Sequence, residues 1–266
     1  MEPLTGISNL IHYRQLIWSF VLRDLKARYA GSTMGLFWSV INPLLLLLLF
    51  TYVFAVILQI RIGQQGGVTG FAFYFFAGFL PWNAFQESLM RSTTSITDNA
   101  MLVKHVRFPA KIFPLYLSIS SLINELIGIA ILVSAVFLRH HLISPFLALL
   151  PLVMVFQLLF MVGLSWITAT IHVFFRDTVH LLGMVVTFWM FLTPIFYPEN
   201  LVPERFSFLL SINPMASLLR VYRTICLEGR VPALNDVVFF ATVSVTLALL
   251  GYAVFTRHYY KFADHV

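Results

Sequence analysis

The sequence predicts an all-α polytopic membrane protein, and three observations carry that prediction. Of 266 residues, 59% are hydrophobic and 11% are charged, where an ordinary soluble domain has about 25% charged residues. The mean hydropathy is +0.87. Apolar runs near the roughly 20 residues needed to cross a bilayer recur along the chain. The net charge of +6 then reads as Lys and Arg flanking membrane spans, not as a nucleic-acid surface.

Residues 8–30 predict a helix lying on the membrane. Ile17, Trp18, Val21 and Leu25 form one stripe, and His12, Gln15, Ser19, Arg23 and Lys26 form the opposite one. That is an amphipathic helix with a basic polar face. A soluble helix packed on a partner has the same pattern, but direct continuity with an apolar run favours the interface. Six membrane spans are expected, at 36–58, 68–89, 112–137, 146–171, 179–196 and 237–255. The first contains an Asn42-Pro43 break, and Gly31-x-x-x-Gly35 at its mouth suits close helix approach.

With both termini on one side, the 17 Lys and Arg divide eleven inside to six outside. Four of the outer ones, Arg205, Arg220, Arg223 and Arg230, lie in the longest connection, where the bias counts least. Both termini are therefore expected in the cytoplasm. No cleavable signal peptide is expected, because the first long apolar run begins near Leu36. Cys226 is the single cysteine, which excludes an intrachain disulfide.

Two connections stand out. The inner one, 92–108, offers Ser92 or Thr93 as a cap for one short helix and Asp98 or Asn99 as a cap for a second. Thr97 lies between them, Met101, Leu102 and Val103 add an apolar face, and Lys104, His105 and Arg107 add charge before Phe108-Pro109. An apolar tip with a charged rim suits docking into a partner's groove. The outer one, 198–232, holds short apolar blocks punctuated by Pro198, Pro203, Pro214 and Pro232. Such blocks predict a re-entrant hairpin dipping into the outer leaflet.

No Gly-Lys dipeptide occurs, so the phosphate loop GxxxxGK[ST] is absent, as are H-E-x-x-H, Cys-x-x-Cys and G-x-S-x-G. If ATP drives this protein, another chain binds it. Ionisable residues inside spans are functional candidates. Glu125 is the deepest, and a structural role at a helix or subunit interface is expected for it. Glu87 lies nearer the inner end of the second span, and Arg176-Asp177 is expected to order a turn. Aromatic groups recur at Phe75, Phe76 and Trp82 and at Tyr29, Phe37 and Trp38. Flat rings with polar edges suit sugar faces and equally suit the membrane interface.

Four stretches resemble one family. They are RYAGSTMGLFWSVINPL (28–44), RFPAKIFPL (107–115), FFRDTVHLLGMVVTFWMFLTPIFYP (174–198) and NPMASLLRVYR (213–223). The chain resembles the ABC-2 type membrane subunits that export lipid-linked polysaccharides such as O-antigen, capsule and teichoic acid. The resemblance implies a homodimer of six-span subunits in the bacterial plasma membrane. Each subunit would bind a separate ATPase subunit that holds ATP and Mg, with no cofactor in this chain and no enzyme activity of its own. Thr97, Asp98, Asn99, Met101, Leu102, Lys104, His105 and Arg107 would belong to the coupling loop. The surface helix with Arg23, Lys26 and Arg28 would clamp the same ATPase. Tyr29, Phe37 and Trp38 would lie by the cytoplasmic entrance of a substrate path that includes Phe75, Phe76 and Trp82, and the hairpin would shape the exit. Three alternatives remain: an ABC-2 exporter of a drug or small lipid, a membrane-embedded glycosyl or acyl transferase, and an ATP-independent flippase. The transferase needs clustered acids, bases or metal ligands, and the flippase needs an ion site, for which Glu125 is the candidate.

Overall fold

The computed structural model describes residues 13–28, 38–59, 67–105, 109–140 and 144–266. Among them the regular structure is helical, with no strand. Helix α1 spans Arg14–Ala27. Helix α2 spans Trp38–Phe50 and continues as a wider π-type coil over Thr51–Ile57. Helix α3 is Val68–Thr94, the short α4 is Ala100–His105, and α5 is Ile112–His140. A 3-10 turn, Pro145–Leu149, leads into α6, Leu150–Phe174, and α7 is Thr178–Leu192. Two 3-10 turns, Glu199–Leu201 and Glu204–Phe206, precede α8, Ser207–Ser211. Helix α9, Pro214–Arg223, passes into a π-type turn over Thr224–Glu228. Helix α10 is Leu234–His258, and after a turn at Tyr259–Lys261 the short α11 covers Phe262–His265.

Three apolar stretches are long enough to cross a membrane: Ile112–Arg139, Pro145–Phe174 and Leu234–His265. Two more, Ile41–Ile57 and Thr178–Leu192, are apolar but shorter. Bare apolar side chains cover them. On α7, Leu181, Met184, Val185, Phe188 and Phe191 are exposed, and on α2 Leu45, Leu48 and Leu49 are. In water such surface would cost about 25 cal/mol per Å². In a bilayer it is the expected outer face, so the protein is membrane-embedded.

Helix α3 is enclosed by α5, α6 and α9 and forms the centre of the bundle. Its face of Phe71, Phe75, Trp82 and Phe85 meets Phe160 of α6, Phe196, and Met215, Leu218 and Tyr222 of α9 in one continuous core. Helices α6 and α10 pack at backbone distance. A Cβ at Gly163 would strike the backbone of Leu247 and Ala248, and one at Gly251 would strike the Gly163 carbonyl. Small residues that let backbones meet are what hold helices together where lipid removes any hydrophobic drive.

A second, smaller core gathers at the opposite end. It joins Phe20 of α1, Ile96, Phe113 of α5, Trp166 and Val173 of α6, and Phe255 and Phe262. This end, which holds α1, α4 and α11, is the terminal end below, and the end holding residues 194–230 is the far end.

Local expectations were corrected in two places. Helix α3 does not stop at Leu89 but runs to Thr94, so Ser92 and Thr93 cap nothing. Both are buried, and the Thr93 hydroxyl donates to the Leu89 carbonyl at 2.8 Å and lies 3.0 Å from the Thr168 hydroxyl. A Ser or Thr hydroxyl inside a helix satisfies itself by bonding the carbonyl four residues back. Helix α1 does not simply set one apolar stripe against a polar one. Leu16, Phe20 and Val21 turn to the protein, while Trp18, 52% exposed, and Leu22 point away from it. The helix thus serves two apolar surroundings, as a helix lying between a bundle and a membrane interface requires. The segment from 198 to 232, expected as a re-entrant hairpin, carries one deeply buried helix. Every residue of α9 from Met215 to Leu219, and from Val221 to Arg223, is buried. The Gly31-x-x-x-Gly35 motif lies outside the described residues.

Candidate functional site

At the terminal end, four full charges tie three helices together. Asp24 and Arg28 come from α1 and its C-terminal cap, and Glu87 and Arg91 come from α3. Each pair has the four-residue spacing, acid before base, that puts both side chains on one helix face. Arg28 Nε donates to Asp24 Oδ2 at 3.0 Å, and its Nη1 donates to Glu87. Arg91 donates to both Asp24 oxygens and, at 3.3 Å, to Glu87 Oε1. Ser120 of α5 donates to Asp24 and accepts from Arg28 Nη2 at 3.2 Å. Each carboxylate is therefore held by both guanidiniums, and the square is neutral. Burial pushes the Asp24 carboxyl up. Hydrogen bonds from Arg91 and Ser120, with the charges of Arg91 and Arg28, outweigh it and hold the group below its ordinary value.

Beside this square lies the segment expected to couple. Ser95, Ile96 and Thr97 continue from α3 in tight turns, where Thr97 Oγ1 donates to the Thr94 carbonyl at 2.8 Å and Thr94 Oγ1 donates to Asp98 at 2.7 Å. Asn99 stands just before α4, but its amide donates back to the Ser95 carbonyl at 2.8 Å and fastens the turn. Helix α4 splits by exposure. Met101 is 70% exposed and Lys104 is exposed, while Leu102 and Val103 pack on the smaller core. His105 ends α4, and Arg107 lies outside the described residues. Arg23 and Lys26 are exposed on α1, with the Arg23 guanidinium 4.4 Å from the Phe20 ring centroid. Arg28 is not exposed with them but turned inward to the square.

The aromatic candidates divide. Tyr29 and Phe37 lie outside the described residues. Trp38, at the start of α2, is 42% exposed. Phe75, Phe76 and Trp82 are buried in the larger core, where Phe75 stacks on Phe79 with centroids 5.1 Å apart and Trp82 donates to Gln86 at 3.0 Å.

A second polar cluster crosses the bundle. Glu125 of α5 is 3% exposed and accepts from Gln157 Nε2 of α6 at 2.7 Å, and Gln157 Oε1 accepts from the Tyr222 hydroxyl of α9 at 2.6 Å. The other Glu125 oxygen has no hydrogen-bond partner among the described residues. The residue after Tyr222, Arg223, is buried with its guanidinium 3.5 Å from the Tyr74 ring centroid. It donates to the Pro194 carbonyl at 2.7 Å and to the Tyr74 carbonyl at 3.3 Å. Gly78 leaves the room, since a Cβ there would sit 2.6 Å from Arg223 Nη2. Asn213 anchors the start of α9, accepting from Met215 N and Trp189 Nε1 at 3.0 Å each. Farther out, Arg220 bridges Glu199 and Asp236. Among the described residues no three His, Cys, Asp or Glu are grouped as metal ligands would be.

Sequence reading singled out Glu125, Glu87 and Arg28 but not their partners. It missed Asp24, Gln157 and Tyr222 altogether. The visible signal for the square was the repeated acid-x-x-x-Arg spacing in two segments. For Gln157 it was a lone amide inside an apolar run, and for Tyr222-Arg223 a polar pair at the end of a proline-bounded block.

The profile of the ABC-2 type transporter family matches residues 15–227. The chain is 32% identical over 262 residues to the O-antigen export system permease protein RfbA of Myxococcus xanthus, covering 98% of each chain. It is 29% identical over 259 residues to the protein of that name in Klebsiella pneumoniae, covering 96% of each, and 27% identical to a second Klebsiella pneumoniae protein over the same share. The α1 joint, helices α2 to α7 and α9 fall within the matched region while α10 lies beyond it, and the chain belongs to the ABC-2 type transporter family.

Proposed function

We propose that this chain is the membrane-spanning subunit of an ATP-driven exporter that moves a lipid-linked, O-antigen-like polysaccharide from the cytoplasm across the bacterial plasma membrane. The observation that carries the mechanism is the divided face of α4. Met101 and Lys104 are free to meet a partner, while Leu102 and Val103 are rooted in a core shared with α1, α5 and α6. The choice of substrate rests on the names of the relatives, which match this chain from end to end.

In this reading the terminal end is cytoplasmic and six spans cross the membrane: α2 with its π-type extension, α3, α5, α6, α7 and α10. Helices α8 and α9 are the re-entrant hairpin of the outer leaflet, and 92–108 is the coupling loop. Two copies form a homodimer, and each binds a separate ATPase subunit that holds ATP and Mg. Arg23 and Lys26 on α1 face the membrane surface or that subunit. Trp38 stands by the substrate's way in, while Phe75, Phe76 and Trp82 stiffen the wall behind it. ATP binding draws the ATPases together and pushes on α4. The push passes through the smaller core into α1 and α5, because close-packed interiors transmit displacement.

The test is to purify the tagged protein from its native membranes in mild detergent and identify what accompanies it. A stoichiometric ATPase subunit with an isoprenoid-linked glycan is the expected result. An ATPase without glycan, stimulated by a drug or small lipid, would replace the substrate. The protein alone, under conditions that preserve comparable complexes, would contradict the proposal. A second expectation follows: Asp98→Ala combined with Lys104→Ala leaves insertion intact and lowers surface polysaccharide.

A further inference from the structure

The family match ends at residue 227, yet residues beyond it complete the terminal end. Phe262 of α11 is fully buried, in the core that also holds Ile96, Phe113, Val173 and Phe255. Its ring meets Phe255 edge-on with centroids 5.2 Å apart, and lies 6.0 Å from Tyr259 and 6.3 Å from Phe174. His265 meets the same Phe174 ring edge-on at 4.9 Å. From the other side Leu102 and Val103 enter this core, and α11 packs directly against α4. Leu16 and Phe20 bring in α1.

A helix of six residues has little rigidity of its own, since its few hydrogen bonds hardly repay nucleation. What α4 rests on decides whether a load at its exposed face is transmitted or absorbed. Part of that floor is α11.

We propose that residues 259–266 are the backstop of α4, with Phe262 as the positioning residue. They hold the short helix firm, so that force at Met101 and Lys104 passes into α1, α5 and α6 and does not bend the 92–105 segment. This rests on the reading of α4 as the ATPase-docking helix. Phe262 touches neither ATP nor substrate and acts through Ile96, Leu102 and Val103.

The experiment uses the full chain with the ATPase subunit that copurifies with it. Three quantities are read: complex formation, ATP hydrolysis by the purified complex, and surface polysaccharide of the producing cells. For Phe262→Ala the expected result is an intact complex, hydrolysis near that of the wild type and surface polysaccharide lowered on the order of tenfold. Phe262→Leu, which refills the core, restores export. Met101→Glu differs in kind and loses the complex itself. Wild-type export per ATP in Phe262→Ala would overturn the proposal while leaving α4 as the docking helix. Loss of the complex in both Phe262 variants would also overturn it, because the residue would then serve folding alone. A wild-type chain that binds no ATPase removes the docking reading and this inference together.

Discussion

The joint that fastens α1 to the bundle and the joint that fastens α9 to it both bury polar groups, but with opposite chemistry. At α1, two carboxylates and two guanidiniums form a neutral square in which each anion already serves both cations. Its side chains are 10% to 35% exposed. On the buried face of α9 the contacts run in single file from Tyr222 to Glu125, while Arg220 on its outer side bridges Glu199 and Asp236. Tyr222 has one acceptor in Gln157, and Gln157 hands one short bond to Glu125. Arg223 is fixed on the carbonyls of Pro194 and Tyr74. A square of interchangeable charges can shift its pairing without stranding a charge, which is how salt-bridged interfaces repack between states. A chain of unique donors and acceptors in a dry interior cannot, because each broken bond leaves a buried group unpaired. The difference teaches that the terminal end has contacts that can exchange partners, and the far end contacts that cannot.

The largest expected effect breaks the fixed joint. Arg223→Leu leaves the Pro194 and Tyr74 carbonyls without their donor, at about 1–3 kcal/mol each, and loses the ring contact as well. Thermal unfolding in detergent should show a larger loss than any single change in the α1 square. An equal or smaller loss would erase the contrast.

Next comes Asp24→Ala. Removing one partner of a buried ion pair costs about 3–5 kcal/mol, and partial exposure of Arg91 and Glu87 places this case toward the lower end. Glu87→Gln should cost clearly less, because the amide keeps an acceptor oxygen and because Glu87 is more exposed than Asp24 and lacks its Ser120 bond. Equal losses in the two variants would contradict the place of Asp24 as the deeper anchor of the square.

Smaller effects sharpen the second cluster. Gln157→Leu strands the Tyr222 hydroxyl and one Glu125 oxygen, and should cost about 1–3 kcal/mol for each group left unpaired. Glu125→Gln keeps shape and hydrogen-bonding capacity and should lie within about 1 kcal/mol of wild type. The same unfolding measurement separates them, and a Glu125→Gln loss matching Gln157→Leu would mean that a carboxylate is required.

The smallest effect is in pH. The Asp24 carboxyl is held below its ordinary value of 3.8. A carboxylate with a lowered folded value adds stability that is complete above the ordinary value and is lost as pH falls through the lowered one. The melting temperature should therefore be insensitive to this group near neutrality and decline below about pH 4. In Asp24→Asn that part of the decline should be missing, and an unchanged acid profile would argue against the square.

These contrasts also explain what was legible in the sequence. The apolar runs foretold the long helices, because hydropathy is a local property and the bilayer sets the length. The burial of α9 was not legible, since a ten-residue block between prolines suits a surface cap as well as an insert. The square was half legible. The spacings Asp24–Arg28 and Glu87–Arg91 are visible, but nothing local pairs segments 67 residues apart, as Arg91 and Asp24 are. The sharing of one core by Leu102 and Phe262 was not legible for the same reason. Of the apolar face expected at Met101, Leu102 and Val103, Met101 is exposed beside Lys104, while Leu102 and Val103 turn inward onto the smaller core, a division that no local pattern on 92–108 reveals.

The most direct test of the movable and fixed joints is hydrogen–deuterium exchange of the protein in complex with the ATPase subunit proposed above, compared with and without ATP. The account predicts that ATP changes protection in residues 14–28 and 92–105, and leaves 213–228 as it was. Changed protection in 213–228 with a silent terminal end would contradict it.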